Sequence, residues 1–408
     1  EIPGFKDREF NRDVGSSSMK DCDKFKSDDV YSFFRSPVRD IFRRVDLNAI
    51  YSLAGGYPSA ETFPLEDIRE LSTEVIGKYG ARAFQYGATQ GVPELREVIS
   101  RRYGVPAGRV QVTTSSQQGI DVCTRVFVNP GDVILTSQPT YLGALQSFKS
   151  YRADVRGVEA GGYEAEIEKV ISEGKKVKLL YSIPDFQNPS GETMTLGERE
   201  EIVALARKYD FLIVEDCPYR ELRYEGSQEP TIYSLAPERT LHLGSFSKIF
   251  APGFRLGWII AEPQLLDPIY VCKQSLDLCP PVFDQYLAAE FMGSGKLDAN
   301  LEKSRELYRM KRDVMLEALA ENMPEGVSWT HPRGGLFLFL TLPESFDVVE
   351  FYDTALDAGV AYVAGNFFRT DGRGRNTMRL NFSFMTPERI SEGVALLAKL
   401  VKDRINNL

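Results

Sequence analysis

Short apolar segments alternate with helix-like segments from residue 51 to about residue 265, and this alternation constrains the fold more than any other feature of the chain. The β-rich runs VQVTT (110–114) and DVILTS (132–137) are each followed by a longer segment with helical periodicity. The same pattern continues at VKLLYSI (177–183), FLIVED (211–216), TLHLGS (240–245) and LGWIIA (256–261). It predicts an α/β fold in which helices cover both faces of a mostly parallel sheet. Ligands of such sheets bind beyond the carboxyl ends of the strands.

Polar side chains follow several of these strands. Ser116 and Gln117 open a helix after one strand, where backbone N–H groups and the helix dipole favour a phosphate. The others are Tyr141, Asn188, Asp216, Ser245, Ser247 and Lys248. Each has a purely structural alternative, because serine often caps helices, asparagine is common in turns and aspartate can cap a strand end. Their joint occurrence at corresponding positions favours one shared site.

Lys248 lies in an apolar setting, within GSFSKIFAPGFRLGW (244–258) and beside Phe246, Ile249 and Phe250. These neighbours indicate a pocket rather than a solvated face. Burial disfavours the ammonium form and lowers the pKa of a lysine, which makes its amine a nucleophile toward carbonyl groups. The alternative is a lysine whose stem packs while its charged end reaches water. This segment alone leaves both interpretations open.

Composition and charge exclude several other functions. The chain has 408 residues, a net charge of −9 and a pI near 5.2, with no basic stripe of the kind that binds nucleic acid. Its five cysteines form no CxxC pair, and its two histidines lack metal-ligand spacing, so we expect neither a metal site nor a disulfide framework. His242 is expected to be a strand residue. With no membrane-length apolar run and no signal-peptide pattern, a cytoplasmic protein is expected.

The chain is expected to form two domains after an N-terminal segment. Residues 1–50 predict an arm and a helix that packs on the small domain and the site, and residues 51–290 predict the large domain that contains the sheet. Residues 291–408 predict a smaller α+β domain that begins with a long helix. Strand-like segments GGLFLFLTL (334–342) and TMRLNFSF (377–384) belong to this second domain.

The candidate residues together match the needs of pyridoxal 5'-phosphate. This cofactor forms a Schiff base with a lysine, uses a carboxylate to keep its pyridine nitrogen protonated, and needs N–H and cationic donors for its phosphate. The motifs concerned are TTSSQQGID (113–121), NPSG (188–191), EDCPYREL (215–222), SFSKIFAPGFRLGW (245–258) and MRLNFS (378–383). Together they resemble the fold-type I, class I/II aminotransferases from about residue 36 to the C-terminus. The resemblance implies a mostly parallel sheet of the seven-stranded type in the large domain.

The resemblance also implies roles around the cofactor ring. Lys248 resembles the Schiff-base lysine of an enzyme that transfers amino groups by a ping-pong mechanism. Asp216 would pair with the pyridine nitrogen, and Tyr141 would stack on the ring. Asn188 and Tyr219 would hydrogen-bond the phenolic oxygen, with Asn188 also next to the substrate.

Further roles concern the phosphate and the substrate carboxylate. Arg379 would hold the substrate α-carboxylate through a bidentate pair, and Gly56 would let its backbone approach the same group. Tyr86 would reach the phosphate bound by the neighbouring subunit, which implies a homodimer with active sites at the interface. The phosphate would be bound by Ser116, Gln117, Ser245, Ser247 and Arg255.

Two further segments indicate which group of aminotransferases the chain resembles most. SPVRDIF (36–42) and LAGGYPSAETFP (53–64) are most similar to the kynurenine/2-aminoadipate and aromatic aminotransferase group. In that group Arg39 would lie near the distal end of the substrate, although it can equally cap or pair on an N-terminal helix. An apolar substrate side chain would be walled by Tyr57, Phe337 and Phe339, unless these are core residues. We expect 2-oxoglutarate/glutamate as one amino-group partner and an aromatic, 2-aminoadipate, kynurenine or branched-chain partner as the other.

Two alternatives accompany this interpretation. Decarboxylases, lyases and racemases of the same fold use the same cofactor, although Arg379 favours amino transfer because it retains the substrate carboxylate. The second alternative is a non-catalytic regulator with an aminotransferase-like domain. It is disfavoured because only about 35 residues precede SPVR, fewer than a winged-helix DNA-binding domain needs.

Overall fold

The computed structural model describes residues 23–34, 36 and 46–407, in which short strands alternate with helices. The strands are β1 (Tyr51–Ser52), β2 (Val110–Thr113), β3 (Val133–Ser137), β4 (Asp154–Val158), β5 (Val177–Ser182), β6 (Leu212–Asp216), β7 (Thr240–Ser245), β8 (Gly257–Ile260), β9 (Ser328–Trp329), β10 (Phe337–Thr341), β11 (Val360–Ala361), β12 (Val363–Ala364) and β13 (Thr377–Asn381). The α-helices are Leu65–Tyr79, Pro93–Tyr103, Ser115–Phe127, Leu142–Ser150, Tyr163–Ser172, Leu196–Tyr209, Ile232–Leu235, Pro263–Asp277, Val282–Gly293, Lys296–Asn322, Val348–Asp357 and Pro387–Ile405.

The main sheet has seven strands in the order β2-β8-β7-β6-β5-β3-β4. Strand β8 is antiparallel to both of its neighbours, and all other pairs are parallel. The predicted α/β fold with a mostly parallel sheet is therefore confirmed. Because β3, β5, β6 and β7 run in one direction, the residues that follow them meet at one edge.

Apolar residues on both sides of each central strand explain why this sheet is buried. In β3, Val133 and Leu135 belong to one core cluster, whereas Ile134 belongs to another. Successive side chains of a strand point to opposite faces, so each face has its own core and its own layer of helices. The helix Leu196–Tyr209 covers one face and begins at a capping box formed by Thr195 and Glu198.

The C-terminal part has a separate antiparallel sheet in the order β12-β13-β10-β9. The long helix Lys296–Asn322 packs against the helix Pro387–Ile405 beside it. Strand β1 pairs in parallel with β11, so residues 51–52 contact the C-terminal part of the chain. The expected boundary at residue 291 lies inside the helix Val282–Gly293, and the division into two domains stays a prediction.

His242 lies in β7, as predicted, and takes part in a buried polar contact. Its Nδ1 lies 2.8 Å from Glu215 Oε2. Glu215 also accepts the backbone N–H groups of Ile232 and Tyr233, at 2.6 and 3.1 Å. This carboxylate therefore anchors the short helix Ile232–Leu235 to the sheet. Among the described helices, none has the length and apolar content needed to cross a membrane.

Candidate active site

A cavity of about 480 Å³ lies at the carboxyl edge of the main sheet, and Phe368 and Arg379 from the C-terminal part of the chain also line it. It brings together residues that are separated by more than 300 positions in the sequence, from Gly56 to Arg379. The predicted site residues that line it are Gly56, Ser116, Gln117, Tyr141, Asn188, Asp216, Tyr219, Ser245, Ser247, Lys248, Arg255 and Arg379. The strand-end positions thus converge on one pocket.

Lys248 enters the cavity from the turn that follows β7. Its Nζ donates a hydrogen bond to the carbonyl oxygen of Gly56 at 2.8 Å. Phe246, Ile249 and Phe250 beside it are buried, so the lysine stem is held by the core while its amine reaches the cavity. A side chain at Gly56 would meet the ring of Phe337 at 3.2 Å, which explains why a glycine suits this close approach.

Asp216 ends β6 and is almost fully buried. Its Oδ2 accepts a hydrogen bond from the Tyr181 hydroxyl at 2.7 Å. Its Oδ1 has no hydrogen-bond partner among the described residues. Burial raises the pKa of Asp216 to about 6, although the Tyr181 hydrogen bond acts in the opposite direction. An unpaired buried carboxylate oxygen is costly, so this atom fits a protonated ring nitrogen.

Asn188 and Arg379 contact each other across 191 positions of the chain. Arg379 donates to Asn188 Oδ1 at 2.7 Å and to the Ala54 carbonyl at 2.6 Å. Because Asn188 Oδ1 accepts this bond, its amide nitrogen is the group left to donate toward a phenolic oxygen. Burial lowers the pKa of Arg379 to about 10, and burial raises the pKa of the neighbouring Tyr219.

Two phenylalanines fix the plane of the Arg379 guanidinium. Its central carbon lies 4.2 Å from the centre of the Phe337 ring and 5.0 Å from the centre of the Phe368 ring. Phe337 is fully buried and does not line the cavity, nor does Phe339. Of the two alternatives stated for these rings, the structure favours the core: Phe337 packs beneath Arg379, and Phe339 packs against a separate core cluster. Tyr57 does line the cavity, as expected.

The end of the cavity away from Arg379 is suited to bind an anion. Ser116 and Gln117 lie in the first turn of the helix Ser115–Phe127, whose backbone N–H groups lack intrahelical partners. Arg255 donates to Ser115 Oγ at 2.7 Å and thereby lies at the same helix end. At Gly257, a Cβ would lie 2.7 Å from the carbonyl carbon of Ser115, so only glycine leaves the cradle open.

The Gln117 side chain is turned toward Tyr141. Its Oε1 accepts from the Tyr141 hydroxyl at 3.1 Å, and its Nε2 donates to the Gly143 carbonyl at 3.0 Å. These bonds hold the Tyr141 ring at the cavity wall. The backbone of Gln117 is then the part of this residue placed for an anion.

Sequence reasoning missed Tyr181, and it also missed cavity-lining residues such as Leu142, Gln146 and Phe368. One signal was available for Tyr181, since a tyrosine hydroxyl in a buried strand needs a polar partner. Tyr86 lies outside the cavity and is 78% exposed. Arg39 falls outside the described residues.

The sheet and the cavity together define a fold-type I pyridoxal phosphate enzyme. Residues 53–397 match the family described as aminotransferase class I and II, and the chain belongs to this family. Its residues fit the cofactor, with a lysine amine, an unpaired buried carboxylate oxygen and an anion cradle in one cavity. The protein is a pyridoxal phosphate-dependent aminotransferase, and the comparisons do not support the alternatives of another reaction type or a non-catalytic regulator.

Named relatives agree with this assignment. The chain is 44% identical to aromatic-amino-acid aminotransferase 1 of Thermococcus litoralis, over 94% of this chain and 96% of that protein. It is 34% identical to 2-aminoadipate transaminase of Thermus thermophilus, over 90% and 94% of the two chains. A solved structure of Pyrococcus horikoshii kynurenine aminotransferase superposes with a TM-score of 0.92 at 41% identity, covering 95% of this chain and all of that one.

Proposed function

We propose that this aminotransferase exchanges amino groups between 2-oxoglutarate/glutamate and an aromatic amino acid, 2-aminoadipate, kynurenine or a branched-chain amino acid. The names of its relatives, which refer to aromatic amino acids, 2-aminoadipate and kynurenine, support this substrate range. The observation that carries the proposal is one cavity in which Lys248, Asp216 and Arg379 converge. These groups supply an amine, a buried carboxylate and a carboxylate-binding guanidinium.

In the proposed mechanism each residue at the ring has a separate task. When bound, pyridoxal phosphate withdraws electrons from the substrate carbon that carries the amino group. Lys248 Nζ would hold the cofactor, and the same amine would move the proton at the substrate Cα. Asp216 would hold the pyridine nitrogen. Asn188 and Tyr219 would hold the phenolic oxygen, and Tyr141 would support the ring.

At the two ends of the cavity, other residues bind the charged groups. Arg379 pairs with the substrate α-carboxylate through N–H groups that its bonds to Asn188 and Ala54 leave available, and its Nε has no partner among the described residues. Gly56 and Asn188 complete this subsite. The phosphate would be bound by Ser116, Gln117, Ser245, Ser247 and Arg255, all of which line the cavity.

Arg39 is proposed to recognise the distal carboxylate of acidic substrates. It follows Ser36, which lines the cavity, by three positions. The substitution Arg39→Gln should then lower kcat/KM for glutamate and 2-aminoadipate but leave that for phenylalanine nearly unchanged. An equal loss for all three substrates would contradict a role in side-chain recognition.

The enzyme is also proposed to be a homodimer in which Tyr86 contacts the phosphate of the partner site. An exposed apolar surface supports this, since Phe84 and Leu278 are 67% and 46% exposed. The Phe84 ring stacks on Phe283 at 5.5 Å, which holds it at the surface. Light scattering should give twice the chain mass, and Tyr86→Phe should weaken cofactor binding without dissociating the dimer. A monomeric active enzyme would contradict the assignment.

A cytoplasmic location is proposed as well. Cys123, Cys217, Cys272 and Cys279 are free thiols, which suits a reducing compartment. Cell fractionation should find the protein with cytoplasmic enzymes.

A substrate panel tests the proposed reaction most simply. Purified enzyme with 2-oxoglutarate is given phenylalanine, tyrosine, kynurenine, 2-aminoadipate, leucine or aspartate, and glutamate formation is measured. We expect turnover with at least one of the first five and stoichiometric oxo acid from the donor. Turnover with aspartate alone would contradict the proposed substrate class.

A further inference from the structure

Tyr181 touches the cofactor-facing aspartate although it does not itself line the cavity. It lies in β5 beside β6 and is fully buried, with its ring edge-on to Phe148 at 5.4 Å. Its hydroxyl donates to Asp216 Oδ2 at 2.7 Å. Asp216 thus has one oxygen engaged by Tyr181 and the other, Oδ1, without a partner among the described residues.

We propose that Tyr181 is a positioning residue, whose hydroxyl fixes Asp216 so that Oδ1 and its negative charge are kept for the pyridine nitrogen of the cofactor. This inference rests on the role proposed above for Asp216. The hydroxyl acts on geometry because it fixes the rotation of the carboxylate group. It also acts on charge, because a hydrogen bond donated to a carboxylate lowers the affinity of that carboxylate for a proton.

The second effect matters because Asp216 lies in an apolar setting. Burial raises its pKa to about 6, and the Tyr181 hydrogen bond and the His242 ring on β7 oppose this rise. Other titratable groups that interact with it include Cys123 on the helix Ser115–Phe127, and Cys217 and Tyr219 after β6. Lys248 and Tyr141 line the same cavity. Burial, together with Asp216, raises the pKa of Tyr181 well above its usual value, so its hydroxyl remains a donor.

The consequence concerns the proton shared between the pyridine nitrogen and Oδ1. Without the Tyr181 hydroxyl, Oδ1 holds this proton more strongly, and the proton moves from the nitrogen toward the carboxyl group. The nitrogen then withdraws fewer electrons, and removal of the proton from the substrate Cα becomes slower. Loss of a hydrogen bond to a charged group predicts a fall of about tenfold in kcat/KM.

The test replaces Tyr181 by phenylalanine in the holoenzyme, which keeps the ring against Phe148. The enzyme is loaded with cofactor labelled with ¹⁵N at the ring nitrogen, and the ¹⁵N chemical shift is measured together with kcat/KM. For Y181F we expect the shift to move toward that of a neutral pyridine. Tyr362→Phe is the matched control, since it removes the hydroxyl of another fully buried tyrosine, which donates to the Val348 carbonyl.

The companion variant Asp216→Asn separates this inference from the proposed function. If D216N keeps both the parent ¹⁵N shift and the parent activity, the proposed role of Asp216 fails. If D216N loses activity while Y181F keeps the parent shift and rate, the role of Asp216 stands and the inference about Tyr181 is overturned. The inference is also overturned if Y181F and Y362F lose activity equally with no change of shift.

Discussion

Arg379→Lys is the substitution that tests the carboxylate subsite most sharply. Arg379 is 3% exposed and already donates to Asn188 Oδ1 and the Ala54 carbonyl, at 2.7 and 2.6 Å. The planar guanidinium group of Arg379 can keep these two bonds and still donate N–H groups to a substrate carboxylate. The single ammonium group of a lysine cannot do both. Losing one charge-assisted hydrogen bond costs about 1.5–3 kcal/mol, or about 10- to 150-fold in kcat/KM.

The assay compares two substrates that differ only in the carboxylate. The half-reaction rate is measured with phenylalanine and with 2-phenylethylamine, in the parent enzyme and in R379K. In R379K we expect the rate with phenylalanine to fall by about 10- to 150-fold and the rate with 2-phenylethylamine to change far less. Equal losses with both substrates would refute the carboxylate role. Arg312→Lys is the control, because Arg312 is also buried but donates to the Pro332 carbonyl outside the cavity.

Further predictions concern Asp216 and the proposed phosphate cradle. The pKa of Asp216 is raised from 3.8 to about 6, so between these pH values the folded protein binds more protons than the unfolded chain. The free energy of unfolding therefore falls as the pH rises, by about 3 kcal/mol in total once the pH is above 6. Asp216→Asn should therefore raise the Tm of the cofactor-free protein at pH 7.5, an advantage that disappears toward pH 4; an unchanged Tm at pH 7.5 would contradict this. Gly257→Ala should weaken cofactor binding strongly, because its Cβ would lie 2.7 Å from the Gly244 carbonyl oxygen and from the carbonyl carbon of Ser115. Gly253→Ala is the control, because a Cβ at Gly253 would meet nothing within 4 Å. Equal cofactor affinities of the two variants in a titration would refute the claim that Gly257 keeps the phosphate site open.

Local sequence patterns were sufficient to predict the main sheet and most of the cavity lining. The start of the helix Leu196–Tyr209 is one example, because the capping box that fixes it is formed by Thr195 and Glu198, which are only three positions apart in sequence. The polar residues after β3, β5, β6 and β7 converge because parallel strands end at the same edge. The direction of β8 was not predictable in this way, because this antiparallel strand has the same apolar pattern as the parallel strands of the sheet.

The contacts that sequence reasoning missed connect distant parts of the chain. Phe337 could have walled the substrate or belonged to the core, and it lies beneath Arg379. In the register of β10 and β13, Phe337 is opposite Asn381 and is therefore a diagonal neighbour of Arg379. Tyr181 and Asp216 lie on adjacent strands that are 35 positions apart in sequence. Such contacts depend on the three-dimensional pairing of strands, which periodicity within one segment does not encode.

The most direct test of amino transfer is a single half-reaction followed by absorption. The holoenzyme is mixed with phenylalanine or glutamate in the absence of any oxo acid, and the visible band and the products are measured together. We expect the band of the lysine-bound cofactor to be lost while stoichiometric oxo acid forms, and we expect Lys248→Ala to show no turnover. Release of carbon dioxide or ammonia, or formation of the opposite enantiomer, in place of the oxo acid would contradict amino transfer.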